Sequence, residues 1–220
     1  MTRVLVVGAS RGIGLEFVRQ WCADGCDVTA TARSDEGLAR IRLLGARAWP
    51  LDVASADGAA AWPIAGETFD VVVLNAGVYG PRTDGLQTPT QDEFDAVMHT
   101  NVLGAMRVLP QVAGALASGA RLAVISSRMG SIGLRAGPSG WLYRASKAAL
   151  NSVLKDASLV LAGKAVCVAL HPGWVRTDMG GSGADLDVAT SVSGMRRTLA
   201  ALTPADNGGF FNHDGQALAW

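Results

Sequence analysis

The sequence predicts an α/β fold, a doubly wound parallel sheet of about seven strands with helices on both faces. Short apolar runs rich in valine alternate with longer segments of helical periodicity, which is typical of parallel α/β sheets. Glycine makes up 27 of the 220 residues, as expected of a chain that turns often. No linker, repeat or low-complexity tract divides the sequence, so we expect a single domain over residues 1–220.

The first half of the chain predicts strands and helices in strict alternation. The strands are continuous apolar runs, because a strand inside a parallel sheet is buried on both faces. Glycines directly after two of the helical segments are typical C-terminal caps. In chain order the predicted elements are strand Val4–Val7, helix Gly12–Ala23, strand Val28–Ala32, helix Glu36–Leu44, strand Arg47–Leu51, the alanine-rich helix Ala54–Trp62 and strand Phe69–Leu74.

The second half continues the alternation. Pro110 is expected to kink or break a helical region, since proline lacks an amide hydrogen. The last helical segment carries an amphipathic stripe of apolar residues three and four apart. The predicted elements are one or two helices in Thr90–Ser118, strand Arg121–Ser126, helix Trp141–Leu161, strand Ala165–His171, helix Asp187–Leu202 and a short strand at Gly209–Phe211.

Composition and charge exclude several classes of partner. Nineteen basic and nineteen acidic side chains cancel, so the chain lacks the basic footprint of a nucleic-acid binder. No apolar stretch approaches the roughly 20 residues that cross a bilayer, and the short apolar run after Arg3 is too short for a signal-peptide core. We expect a soluble, cytoplasmic protein whose cysteines (Cys22, Cys26 and Cys167) are reduced thiols. The three histidines form no ligand set, so no metal is predicted.

A glycine-rich loop, Gly8–Gly14, lies between the first strand and the first helix. Glycines there permit a tight turn and let backbone N–H groups approach a pyrophosphate, and the helix N-terminus adds a partial positive charge. Three glycines are a weak signal alone, but the strand before and the helix after them favour a dinucleotide site over a mere tight turn.

Downstream, Tyr143 and Lys147 are four residues apart, so both project from one face of the predicted helix. A free phenol has a pKa of about 10 and is a poor acid at neutral pH. A lysine ammonium about 4 Å away stabilises the phenolate by up to about 4 kcal/mol, or about three pKa units, at an effective dielectric constant of about 20. A nucleotide beside a tyrosine acid predicts hydride transfer at a carbonyl or alcohol.

These motifs resemble the classical short-chain dehydrogenase/reductase family over essentially the whole chain. The resemblance is strongest at Gly8–Gly14, Asn75–Gly77, Tyr143–Lys147 and Pro172–Thr177. The segment from His171 to Gly181 and a long serine-to-tyrosine loop are similar to the C-factor and sniffer-type carbonyl reductases. The resemblance implies a Rossmann-type fold and NADPH-dependent reduction of a small carbonyl compound.

The end of the second strand favours NADP(H) over NAD(H). An NAD-selective site places an acid there for the ribose 2′-hydroxyl, whereas this chain has Ala32 followed by Arg33. In such a fold Arg11 of the glycine loop is close enough to join Arg33 on a 2′-phosphate, which two guanidiniums bind in charge-assisted, forked geometry. The alternative is that Arg33 merely faces solvent.

The resemblance assigns further cofactor contacts. It implies that Asp52 contacts the adenine amino group, although Asp52 equally suits a cap of the following segment. It also implies that Thr177 and nearby backbone groups contact the nicotinamide amide. The full predicted cofactor set is Gly8, Ser10, Arg11, Gly12, Ile13, Gly14, Arg33, Asp52, Val53, Asn75, Ala76, Gly77, Tyr143, Lys147, Pro172, Gly173, Trp174, Val175 and Thr177.

Two more catalytic roles follow from the resemblance. Asn101 is implied to hold a water that links Lys147 to solvent, although a polar helix residue is the simpler interpretation. A serine is implied to hydrogen-bond the reacting oxygen, but the commonest family spacing from Tyr143 falls on Gly130. We therefore predict Ser127, at the end of the fifth strand, with Ser131 as the reserve.

The substrate is expected to be an apolar or aromatic carbonyl compound. The predicted pocket residues are Tyr79, Met129, Trp141, Trp174 and Met179, each of which is equally compatible with core packing. Two alternatives stand beside the reductase: an NADP(H)-binding signalling or scaffold protein with vestigial catalysis, and a dehydrogenase that oxidises an alcohol. Members of the family often pair through the tyrosine-bearing helix, which implies a homodimer or homotetramer.

Overall fold

The computed structural model describes residues 1–60 and 62–220, and these residues form one seven-stranded sheet. Its strands are β1 (Arg3–Val7), β2 (Asp27–Ala32), β3 (Arg47–Pro50), β4 (Phe69–Leu74), β5 (Leu116–Ile125), β6 (Ala165–His171) and β7 (Gly209–Asn212). They lie in the order β3-β2-β1-β4-β5-β6-β7, and all neighbours are parallel. The predicted doubly wound parallel sheet is confirmed.

Helices cover both faces of the sheet. They are α1 (Gly12–Ala23), α2 (Asp35–Leu43), α3 (Ala56–Ala60), α4 (Gln91–Met98), α5 (Gly104–Gly114), α6 (Trp141–Val160) and α7 (Val188–Ala201). A π-helical turn, His99–Leu103, joins α4 to α5, so the predicted helical region from Thr90 divides in two. Residue 61 of the predicted helix Ala54–Trp62 lies outside the described residues.

Strand β1 shows how the sheet is buried on both faces. Leu5 and Val7 belong to the core on one side, whereas Val4 and Val6 belong to the core on the other. All four side chains are at most 1% exposed. Because successive strand residues point to opposite faces, the continuous apolar run arises from burial of the strand on both faces of the sheet.

The prediction around residues 116–120 was wrong. It continued the helix to Ser118 and began the strand at Arg121, whereas β5 begins at Leu116. Phe69 pairs with Leu116 and Val71 with Arg121, so the strand accommodates extra residues in an irregular stretch. Leu116 is buried in the core, and this long-range packing overrides the helical preference of the alanine-rich segment.

Pro110, the site of a predicted kink or break, lies exposed inside α5 and does not end the helix, so the break is not found. All three cysteines are free thiols, with Cys167 buried and Cys22 and Cys26 half-buried. Within the described part of the chain, no helix is both long enough and apolar enough to cross a membrane.

The strand order reverses between β1 and β4. In open parallel sheets, ligands bind in the crevice at such a switch point, outside the carboxyl ends of the strands. The loops that follow β1, β4, β5 and β6 all leave from that edge, so the fold brings together Gly8–Gly14, Asn75–Gly77, Ser127 and Pro172–Thr177.

Candidate active site

A cavity of about 450 Å³ opens at the carboxyl edge of the sheet. It collects most of the predicted cofactor residues, although they come from distant parts of the sequence. Those that line it are Gly8, Ser10, Arg11, Gly12, Ile13, Arg33, Asp52, Val53, Asn75, Ala76, Gly77, Tyr143, Lys147, Pro172 and Thr177.

The glycine loop is fixed by hydrogen bonds to neighbouring strands. The Gly8 amide donates to Thr31 Oγ1 over 3.0 Å, and Asn75 Nδ2 donates to the Gly8 carbonyl over 2.6 Å. Gly8 has a φ of 86°, and a Cβ there would lie 2.7 Å from the Ala76 backbone. Only glycine fits this approach, so the loop and the Asn75–Gly77 turn form one rigid wall of the cavity.

The rim of the cavity carries exposed arginines. Arg33 is one of them. Arg11 reaches across the mouth to Asp178, with Nη1 and Oδ2 2.8 Å apart. Both side chains of this pair are more than 70% exposed, so the ion pair is weak and leaves the guanidinium available for exchange to another anion.

Asp52 lies at the cavity wall, where its predicted role as a helix cap is not found and its predicted contact with the adenine stays a prediction. Its Oδ1 accepts a hydrogen bond from the Ala54 amide over 3.0 Å, and the residue also lines the cavity. The carboxylate closes a turn before α3 rather than capping the helix itself, because α3 begins at Ala56. The turn holds the carboxylate at the cavity wall.

Tyr143 and Lys147 lie together on the buried face of α6. Lys147 Nζ is 5.7 Å from the centroid of the Tyr143 ring and donates to the Ile125 carbonyl over 2.8 Å. Burial lowers the pKa of the Lys147 ammonium to about 8. Burial also raises the pKa of the Tyr143 phenol well above its usual value, and a hydrogen bond with Ser127 opposes this only in part.

The expected lowering of the Tyr143 pKa by Lys147 is therefore not found. The ammonium is directed at the Ile125 carbonyl, and the loss of hydration around the phenol dominates. A buried phenol of this kind holds its proton firmly, and transfer of that proton requires an acceptor that approaches it directly.

The two candidate serines have different environments. Ser127 interacts with the Tyr143 phenol and also accepts from the Met129 amide over 3.1 Å. Ser131 is fully buried and donates to the Ala219 carbonyl over 2.7 Å, at a site built with the last residues of the chain. The geometry therefore favours Ser127 as the partner of Tyr143.

We predict that the two serines separate activity from stability. Ser127→Ala is expected to lower kcat for carbonyl reduction by about 10²-fold, because a hydrogen-bond donor to the reacting oxygen is lost. Ser131→Ala is expected to keep kcat and to lower the free energy of unfolding by about 1–3 kcal/mol, since it leaves the Ala219 carbonyl without its donor. Steady-state kinetics and denaturant unfolding of both variants test this, and the reverse assignment would contradict it.

Asn101 lies in the π-helical turn and is buried. Its Nδ2 donates to the Val78 carbonyl over 2.8 Å and to Ser146 Oγ over 2.9 Å, and its Oδ1 accepts from the Val78 amide over 2.8 Å. A Cβ at Gly77 would lie 3.2 Å from Asn101 Oδ1 and 3.3 Å from Lys147 Nζ, so both side chains adjoin the same glycine. The amide is thus used mainly to hold the loop after β4, and a water relay through Asn101 stays a prediction.

Four predicted cofactor residues do not reach the cavity. Gly14 packs beneath the loop, where a Cβ would lie 2.6 Å from Asn75 Nδ2. Gly173 backs onto Leu186, and Val175 is 4% exposed within the fold. Trp174 turns outward, with its Nε1 donating to the Gly180 carbonyl. The loop after β6 therefore meets the cavity through Pro172 and through Arg176, Thr177, Asp178 and Met179, whereas the three residues between them lie outside its lining.

The predicted substrate residues are divided in the same way. Tyr79 stacks on Tyr143, and Met179 lines the cavity. Met129 and Tyr79 both adjoin Gly140, which precedes α6. Trp141 donates through Nε1 to the Gln87 carbonyl, and Trp174 is 53% exposed. Of these five residues, Met179 lines the cavity, whereas Tyr79, Met129, Trp141 and Trp174 lie outside its lining.

Some lining residues were not anticipated. Thr31 orients the glycine loop, Asp178 pairs with Arg11, and Arg176 lies beside Thr177 at the cavity wall. Strand β2 contains two threonines, Thr29 and Thr31, so no signal in the sequence singles out Thr31. Within residues 1–60 and 62–220, no group of three histidine, cysteine or acidic side chains is placed to hold a metal ion.

Comparisons with known proteins agree with this geometry. Residues 2–185 match the short chain dehydrogenase family. C-signal from Myxococcus xanthus is 39% identical over 154 residues, covering 69% of this chain and 92% of that protein. A putative short-chain dehydrogenase/reductase from Burkholderia multivorans with bound NADP superposes with a TM-score of 0.90 at 32% identity, covering 100% of this chain and 99% of that one. Carbonyl reductase Sniffer of D. melanogaster gives a TM-score of 0.86 at 30% identity, with 100% of each chain covered.

Proposed function

Because this chain belongs to the short-chain dehydrogenase family, we propose that it is an NADPH-dependent reductase that converts a carbonyl compound to an alcohol. One observation carries the proposal: the buried Tyr143 and Lys147 side chains open onto the same cavity as the glycine loop. A proton donor and a phosphate-binding loop at the same cavity are the two features that reduction of a substrate by a dinucleotide requires. The NADP-bound relative and the carbonyl reductase among the similar structures support the choice of cofactor and reaction.

The residues present fit NADP(H). Gly8, Ser10 and Gly12 of the glycine loop line the cavity, and the two glycines present no side chain where a pyrophosphate would lie. Arg33 and Arg11 would hold the 2′-phosphate, Asp52 the adenine, and Lys147 the nicotinamide ribose. When bound, NADPH supplies the hydride that the carbonyl carbon accepts.

The protein's own groups handle the proton. The substrate oxygen accepts hydrogen bonds from Ser127 Oγ and Tyr143 Oη, which polarise the carbonyl bond. As negative charge develops on that oxygen, the Tyr143 proton moves to it, the O–H bond of the alcohol forms, and a phenolate remains. The Lys147 ammonium, 5.7 Å from the ring centroid, would turn from the Ile125 carbonyl toward the phenolate once that charge forms and stabilise it, and the phenol is then reprotonated from solvent.

We predict that reduction weakens as the pH rises through about 8, the pKa of Lys147. Burial favours the neutral amine, so above this pH the charge that stabilises the Tyr143 phenolate is lost and kcat falls. The pH profile of kcat measures this effect. Lys155→Met, on the exposed face of the same helix, is the matched control and should keep the decline, whereas a wild-type profile that stays flat from pH 7 to well above about 8 would contradict the role of Lys147.

NADPH oxidation over a panel of aromatic, quinone and aliphatic carbonyl compounds tests the reaction, with NADPH binding measured on the same preparation. Turnover of at least one class is expected. Cofactor binding without turnover on any class would favour the second candidate, an NADP(H)-binding signalling protein, which the name of the relative C-signal supports. Faster oxidation of the corresponding alcohols would favour the dehydrogenase direction. That residues 1–220 form a single domain, and that the protein assembles as a homodimer or homotetramer, stay predictions.

A further inference from the structure

A second tyrosine lies directly against the proposed acid. Tyr79, in the loop after β4, stacks on the Tyr143 ring with centroids 4.5 Å apart and planes inclined by 22°. The chain contains two tyrosines, and both are in this stack. One face of the Tyr143 ring is therefore covered by aromatic carbon instead of water.

The loop that carries Tyr79 is tied to both sides of the cleft. The Gly140 amide, directly before α6, donates to the Thr83 carbonyl over 2.8 Å. The Arg82 guanidinium lies 5.1 Å from the centroid of the Tyr79 ring and donates to the Met179 carbonyl over 2.8 Å. These contacts connect the Tyr79 loop to the helix of Tyr143 and to the loop after β6, so the stack is held at both ends.

Gly140 makes room for the second ring. Its φ is 66°, and a Cβ at this position would lie 2.5 Å from the Tyr79 hydroxyl. Glycine at this position therefore permits both the left-handed backbone at the start of α6 and the close approach of Tyr79. A side chain there would displace Tyr79 from Tyr143.

The charged and titratable groups around the phenol come from three segments. Lys147 approaches from the same helix, and Ser127 approaches from the end of β5. Beyond Tyr79 lies Arg82, and the loop after β6 contributes Arg176 and Asp178 to the cavity. Of these, Tyr79 contacts the ring face itself, and together with burial it raises the pKa of the Tyr143 phenol.

We propose that Tyr79 is a positioning residue that fixes the orientation of the Tyr143 ring and shields its face from water, so that the phenol keeps its proton until a carbonyl oxygen reaches it. The benefit of this shielding to catalysis rests on the proposed reductase function, whereas the experiment that tests it needs no turnover. Arg82 supports Tyr79 by holding its loop against the segment at Met179.

The test is a titration of Tyr143 itself in the protein without substrate, made by stopped-flow jumps from neutral to alkaline pH so that the absorbance is read before the protein unfolds. In both Tyr79→Phe and Tyr79→Ala, Tyr143 is the single remaining tyrosine, so the phenolate absorbance band reports it alone. Tyr79→Phe keeps the stacked ring and is the matched control. Tyr79→Ala is expected to ionise at a pH lower by about one unit, because water then reaches the ring and stabilises the phenolate.

Identical titration curves for the two variants would overturn the inference, whether or not the protein reduces carbonyl compounds. NADPH binding by each variant, measured by fluorescence, verifies that the fold is retained. If Tyr79→Ala fails to fold, Tyr79→Leu replaces it with the same expected direction, and a Leu variant that titrates like Tyr79→Phe would equally overturn the proposal. Failure of the reductase function, by contrast, would show only as absent turnover in the wild-type protein.

Discussion

Tyr143→Phe is expected to lower kcat for carbonyl reduction by about 10²–10⁴-fold, the usual contribution of a positioned general acid. The phenylalanine ring fills the same space and keeps the stack with Tyr79, so the change removes the transferable proton and little else. Ser127 is a far weaker acid than the phenol, and the Lys147 ammonium donates to the Ile125 carbonyl, so neither side chain replaces the lost proton. Stopped-flow or steady-state NADPH oxidation measures the loss.

NADPH affinity is the control for that variant. Because the Tyr143 hydroxyl is directed at Ser127, its removal is expected to leave the NADPH Kd within about twofold of the wild-type value. A variant that binds NADPH normally and still reduces the carbonyl at the wild-type rate would eliminate Tyr143 as the proton donor.

Arg33→Ser is expected to weaken NADPH binding by about 10- to 100-fold and to leave NADH binding unchanged. A hydrogen bond to a charged group contributes about 1.5–3 kcal/mol, which corresponds to this range of Kd. The effect is selective because only NADPH carries the 2′-phosphate that Arg33, exposed at the cavity rim, is positioned to meet.

Arg42→Ser provides the matched control, since Arg42 is also an exposed arginine but lies on α2 outside the cavity lining. It should leave the affinity for both cofactors unchanged. An Arg33→Ser variant that loses NADPH and NADH affinity equally would mean that Arg33 supports the loop instead of recognising the phosphate.

The fold was predictable because its signals are local. Continuous apolar runs such as Val4–Val7 identify strands that are buried twice, and glycines such as Gly25 mark helix ends. The exception at Leu116 has a non-local cause: pairing with Phe69 and burial in the core decide the start of β5, and neither is visible in the neighbouring residues.

The site was predictable only as a set of motifs. The fold gathers Gly8, Asn75, Tyr143 and Thr177 around one cavity, as their order along the chain indicates. Side-chain directions were not accessible in this way. Hydrogen bonds set these directions: the Lys147 ammonium donates to the Ile125 carbonyl, and the Trp174 indole donates to the Gly180 carbonyl.

The contact between Tyr79 and Tyr143 illustrates the same limit. The two residues are far apart in sequence, and nothing in either segment indicates that their rings stack. Likewise, the opposite charges of Arg11 and Asp178 gain meaning only once the loops after β1 and β6 are seen to face each other. The spacing of residues in the sequence identifies which reactive side chains share a site, whereas their contacts and pKa values depend on the three-dimensional packing.

The most direct measurement of the central claim is isotope transfer to a carbonyl substrate from NADPH that carries deuterium at both C4 positions of the nicotinamide. We expect an alcohol that carries one deuterium on the former carbonyl carbon, formed by the wild-type protein and almost absent with Tyr143→Phe. Deuterium that never reaches an alcohol from any carbonyl class, although NADPH binds, would contradict hydride transfer at this site.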